Sequence, residues 1–153
     1  MKRQDRKSAC PVNIALEAFG DSWSLLIVRD ILFWGKRTYG EFLESEEKIA
    51  TNVLADRLAQ LEKKGILAKK PHPADSRKRS FELTEKGLAL IPIVLEMSTW
   101  SARHDPRATA HRRFMDAFYA DREAILELVR RTARRHGCIF SGPDCVMERL
   151  RKG

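Results

Sequence analysis

Long apolar runs are missing from this chain of 153 residues. Nothing in it approaches the roughly 18 uninterrupted apolar residues of a membrane-spanning helix. The basic opening, MKRQDRKSAC, has no apolar stretch behind it of the kind a secretory signal carries. Cysteine is scarce, with only Cys10, Cys138 and Cys145. An odd count without an export signal argues against a disulfide framework, so a reducing, cytoplasmic setting is the expectation. Cys138 and Cys145, even with His136, lack both a zinc-like spacing and a fourth ligand, and no metal site is expected. The histidines, His72, His104, His111 and His136, form no cluster in sequence, though His72 can belong to a basic turn. There is no P-loop, no dinucleotide-binding glycine pattern, no H-E-x-x-H and no G-x-S-x-G. The expectation is a protein that is not an enzyme and uses no cofactor. Acidic residues are outnumbered, 21 against 29 Lys and Arg, which leaves a net charge of +8. Such an excess favours a polyanionic partner, although charge alone is weak evidence.

The length suits one domain, or one domain with an extension, and a 43 % apolar fraction is enough for a core. After a polar N-terminal arm, Ile14, Ala15, Ala18 and Phe19 recur at helical spacing up to Gly20. A second helix follows in DSWSLLIVRDILFWG, with Asp21 or Ser22 as its cap and Gly35 as its stop. It is apolar nearly all round, which predicts a central place in the core. Thr38 and Glu41 have the spacing of a capping box, so a short helix begins there. After a turn through Glu46 to Lys48, another helix begins near Ala50 or Thr51. Leu54, Leu58 and Leu61 form its core-facing stripe, and Gly65 ends it.

Residues 66–70 and 79–83 alternate as two short antiparallel strands around the turn-rich PHPADSRK. Thr84 then caps a long helix over 85–103, which Pro92 can kink. Beyond Asp105-Pro106, residues 107–136 read as one further helix, and the tail from Cys138 is assigned no structure. The fold class predicted is mainly α with a small β-hairpin: a winged helix-turn-helix over 10–104, followed by a helical C-terminal extension over 105–153. In that arrangement the helix from Thr51 can enter the DNA major groove, and the basic turn can reach the backbone or minor groove beside it.

These residues carry a family resemblance. Cys10-Pro11-Val12, GDSWSLLIVRDILF, IATNVLADRLAQLEKKGIL and LTEKG (83–87) follow one another as in the HxlR-type winged helix-turn-helix transcriptional regulators, relatives of the MarR group. The resemblance covers about residues 10 to 104. It implies a homodimer on palindromic or near-palindromic double-stranded DNA, often acting as a repressor. The pair Asp75 and Arg77 looks more like a MarR wing than the shorter HxlR form. The stretch after residue 105 lies outside the resemblance.

The candidate DNA-binding residues fall into three groups. On the helix, Thr51, Asn52, Ala55 and Asp56 offer base or phosphate contacts: an amide pairs with adenine, a carboxylate accepts from cytosine, and a small side chain permits close approach. Arg57 sits between the core and the groove, so an internal ion pair and a phosphate contact are both open. On the turn, Arg77, Lys78 and Arg79 form a charge run that is elsewhere only a solvated surface. Beside a recognition helix, Arg77 is the best candidate for a minor-groove or phosphate contact, oriented by Asp75. Ahead of the short helix, Lys36, Arg37, Thr38 and Tyr39 can hold a phosphate at its N-terminus, and Tyr39 can equally be a packing residue. Cys10 is a candidate redox sensor, a role that the resemblance supports; otherwise it is a small residue sealing a helix end. A small-molecule or oxidant effector is therefore expected as a partner alongside DNA and a second subunit, with no membrane. The competing reading is a dimeric redox or ligand sensor that works through protein contacts without sequence-specific DNA binding.

Overall fold

A computed structural model describes residues 6–153. Among the described residues, nine helices and one hairpin follow in the order α1 (Pro11–Phe19), α2 (Ser24–Trp34), α3 (Tyr39–Leu43), α4 (Thr51–Lys63), β1 (Leu67–Pro71), β2 (Arg79–Leu83), α5 (Glu85–Leu88), α6 (Ile91–His104), α7 (Arg112–Ala120), α8 (Arg122–Arg134) and α9 (Val146–Lys152). Helix α2 runs through the centre, with Ile27, Val28, Ile31 and Leu32 all buried. Asp21 starts it: its carboxylate accepts from the amides of Trp23 and Ser24 at 2.9 Å each, which satisfies donors that a helix N-terminus leaves free. Gly35 ends it in the left-handed region, φ 70°, where a residue without Cβ is not strained.

The predicted capping box is present on α3. Thr38 Oγ1 accepts from the Glu41 amide, and the Glu41 carboxylate accepts from the Thr38 amide. Helix α4 buries Leu54, Leu58 and Leu61, one stripe of its surface, and Gly65 ends it at φ 72°. The strands pair antiparallel with Leu67 opposite Leu83 and Lys69 opposite Phe81. The hairpin is tied to the body at its base, where the Phe81 amide donates to the Arg37 carbonyl at 2.8 Å.

The C-terminal half departs from the sequence reading in three places. The helix expected over 85–103 is two helices, α5 and α6. Pro92 lies in the first turn of α6, where its missing N–H costs nothing and its fixed φ suits the helix, so it begins a helix rather than kinking one. The helix expected over 107–136 is also two. Asp121 breaks it by capping α8, its carboxylate accepting from the Ala124 amide at 3.0 Å. The tail left without structure contains α9. Ahead of α9, the amides of Ile139 and Phe140 donate to the carbonyls of Leu32 and Phe33 at 2.9 and 3.0 Å, closing the C-terminal end of α2. One core cluster runs through both halves, from Ile27 and Leu54 to Phe114, Val129, Ile139 and Val146.

Candidate nucleic-acid interface

The apolar stripe of α4 leaves its opposite side outside the core. Thr51, Asn52, Ala55 and Asp56 are all exposed. The start of α4 has no side-chain cap. It is held from outside instead: the Tyr39 hydroxyl donates to the Thr51 carbonyl at 2.8 Å, across the turn from α3. Tyr39 therefore makes a structural link as well as standing at the surface. At the hairpin tip, Arg77 is 89 % exposed, and Lys78 and Arg79 are exposed with it. Asp75 pairs with Arg77 through both carboxylate oxygens, at 3.0 and 3.3 Å. The guanidinium holds the Asp75 carboxyl below the usual carboxylate range. The planar head of Arg77 is thus oriented while its outer edge stays in solvent.

A match to the family model described as "HxlR-like helix-turn-helix" spans residues 18–109, which is more than half of the chain and includes α2 through α6. The chain belongs to the HxlR-like helix-turn-helix family. Among relatives, it is 28 % identical over 103 residues to YdeP of Bacillus subtilis, an uncharacterised HTH-type transcriptional regulator, covering 67 % of this chain and 80 % of YdeP. It is 33 % identical over 93 residues to the HTH-type transcriptional regulator YodB of the same organism, covering 60 % of this chain and 82 % of YodB. Among solved structures, PA1607, a candidate transcription factor, superposes with TM-score 0.61 at 36 % identity, covering 69 % of this chain and 73 % of that one. The oxidised form of the redox regulator HypR superposes with TM-score 0.55 at 28 % identity, covering 62 % and 97 %. The protein is a helix-turn-helix transcriptional regulator, and its hairpin is the wing of a winged-helix fold.

Within this HxlR-like frame the basic residues before α3 are occupied elsewhere. Arg37 is half-buried and lines a small polar cleft with Glu82, Glu85, Arg134 and His136. Burial lowers its pKa, and the neighbouring Glu82 carboxylate opposes that shift. Lys36 reaches inward, its Nζ lying 3.0 Å from Ser45 Oγ and 3.5 Å from Asp30 Oδ2. Thr38 is engaged in the capping box. Arg57 pairs with Asp56 at 2.6 Å and lies 3.5 Å from Asp21. That is the ion pair left open by the sequence, and it links α4 to the start of α2.

One cluster escaped the sequence reading. Asp30, only 3 % exposed, sits among Arg29, Lys36 and Ser45. Arg29 also grips Glu47, at 2.5 and 2.9 Å. These contacts tie α2 to the turn between α3 and α4. Arg29 holds the Glu47 carboxyl down at about 2, and the two carboxylates in turn raise the pKa of Arg29. Asp30 stands in the run LLIVRDILF, where a buried charge needs partners; Arg29 adjoins it, and Lys36 and Ser45 come from beyond the end of the helix. At the N-terminus, Cys10 is exposed and occupies the N-cap of α1. The amides of Asn13 and Val12 lower its thiol pKa. Of the basic residues before it, Lys2 and Arg3 lie outside the described residues. Cys138 and Cys145 are buried free thiols, and burial pushes the Cys138 pKa up.

Proposed function

We propose that the protein binds DNA sequence-specifically as a homodimer, and that it represses from a palindromic operator. In this reading Thr51, Asn52, Ala55 and Asp56 face base edges and phosphates in the major groove. Arg77, Lys78 and Arg79 meet the backbone or minor groove beside it. Tyr39 positions α4, while Arg37 and Arg57 serve the fold more than the groove. The observation that carries the reading is the polar, uncapped N-terminal face of α4, left free of intramolecular packing by the inward stripe Leu54, Leu58 and Leu61. A second subunit is supported by apolar side chains standing in solvent: Val12 and Leu16 on α1, and Ile93, Met97 and Trp100 on α6. Two-fold pairing along these faces doubles a small footprint and presents two recognition helices to two half-sites.

The test is fluorescence anisotropy on the gene's own upstream DNA against random duplex, over a salt series. Each neutralised phosphate contributes about −0.9 to the slope of log K against log salt. A steep slope with a preference for upstream DNA supports the reading. A flat response, or equal affinity for both duplexes at physiological salt, refutes it.

Cys10 supports a second layer. An exposed thiol at a helix N-cap, its thiolate favoured by two backbone amides, has the environment of a reactive cysteine, and the similar protein HypR is a redox regulator. Operator binding by wild type should fall after mild diamide treatment, whereas Cys10→Ser should not respond. Equal responses from both would make Cys10 structural.

A further inference from the structure

A cavity of about 600 Å³ lies between α2, α6, α7 and the loop that joins α6 to α7. That volume falls within the range of small-molecule sites, roughly 300–1,000 Å³. Aliphatic side chains make up much of its lining, and one part of the wall is aromatic and organised around one ring. Phe140, from the segment before α9, lies 5.4 Å from Phe33, 5.3 Å from Trp34, 5.6 Å from Phe114 and 5.6 Å from His111 between ring centres. The contacts with Phe33 and Phe114 are edge-to-face, and His111 stacks nearly parallel to Phe140 at 24°. Edge-to-face rings present both faces and edges, which suits another flat aromatic system.

The wall offers little free charge. Arg29 reaches it, but that guanidinium is already matched by Asp30 and Glu47. A charged guest would lose its hydration without gaining a free counter-charge. Besides Arg29, the hydrogen-bonding side chains of the lining are Trp34, Ser98, Ser101, Thr109 and His111, and the Ser98 hydroxyl is already donated to the Val94 carbonyl.

From this we infer that the cavity between α2, α6 and α7 binds a flat, uncharged aromatic ligand and that its occupancy alters DNA affinity. The second half rests on the DNA-binding reading above. The coupling runs through Arg29, which lies in the cavity wall and holds Glu47 in the turn before α4. A ligand that shifts Arg29 changes how that turn is anchored, and so how α4 is presented.

The probe is N-phenyl-1-naphthylamine, an uncharged aromatic dye that fluoresces when shielded from water. We expect saturable binding of one dye per chain. Its anionic analogue, 1-anilinonaphthalene-8-sulfonate, should bind about tenfold or more weakly, since it carries the same rings with an unmatched charge. Ser98→Trp and Ala108→Trp, which place bulk in the cavity from two different elements, should each weaken the neutral dye by about tenfold or more. Tyr119→Ala, at an exposed position of α7 outside the lining, should leave binding intact.

Absence of saturable binding, or equal loss with Tyr119→Ala, overturns the site. So does dissociation of the dimer by the dye, seen in sedimentation, which would show that a second copy fills the cavity. Operator affinity should change by about fivefold or more at saturating dye. No change there, with dye and DNA each bound, overturns the coupling. Failure to bind DNA at all strikes the earlier reading and leaves the fluorescence result standing.

Discussion

Replacing Asp30 by alanine should cost more than any other single charge removal near the helix-turn-helix. The carboxylate is 3 % exposed and faces Arg29 Nη2 at 2.7 Å, Lys36 Nζ at 3.5 Å and the hydroxyl of Ser45. Its removal leaves Lys36 with one neutral partner and Ser45 without its acceptor, while Arg29 keeps Glu47. Losing one partner of a buried pair costs about 3 to 5 kcal/mol, because the remaining charge stays desolvated. In a chain of this size each kcal/mol lowers Tm by about 2 to 4 °C, so a fall of about 6 to 20 °C is expected. The comparison is Glu47→Gln, at a carboxylate whose side chain is 34 % exposed. Solvent screening there limits the loss to about 0 to 1 kcal/mol. Urea unfolding of both variants, read by circular dichroism and extrapolated with a common m-value, gives the two numbers. A loss below about 1 kcal/mol for Asp30→Ala would mean that water or a moved lysine satisfies the site, and the account of α2 as anchor of the turn would be wrong.

Asn52→Ala should weaken cognate binding by about 1 to 3 kcal/mol and relax preference at one base pair, whereas Arg77→Ala should weaken binding to all duplexes alike; parental behaviour in both removes the groove assignment. Gly87→Ala should destabilise the fold by about 1 to 3 kcal/mol, because a Cβ there would collide with the Ile66 carbonyl oxygen at the base of the wing, and thermal melts with unchanged Tm would refute the close approach. The Glu47 carboxyl is lowered from 4.5 to about 2 by Arg29. Its contribution is therefore fully present above about pH 4.5 and lost as pH falls through about 2. The stability gap between wild type and Glu47→Gln should close over that window, and a gap constant down to pH 2 would exclude the pair as its source.

The helix-turn-helix and wing were legible because they are written in local code. The period of Leu54, Leu58 and Leu61, the capping box at Thr38, and Gly35 and Gly65 at left-handed positions each fix structure within a few residues. Asp121 was equally local, an N-cap residue in the middle of a helical pattern, but apolar periodicity on either side masked it. What could not be read depended on distance. Nothing near Asp30 announces Ser45 as its partner, and nothing near Arg37 announces the cleft made with Arg134 and His136. Runs of basic residues look alike in sequence. Only the fold separates Arg77, standing in solvent, from Lys36 and Arg37, turned inward.

The bonds from Ile139 and Phe140 to the end of α2 also constrain how the chain is made. During synthesis the helix-turn-helix leaves the ribosome long before these residues do. Until they arrive, the last carbonyls of the central helix depend on water, and the apolar ground beside Phe33 and Trp34 is uncovered. The C-terminal segment beyond the family match therefore closes the end of the central helix, and stopping translation near residue 105 should yield a sticky intermediate in place of a smaller working protein.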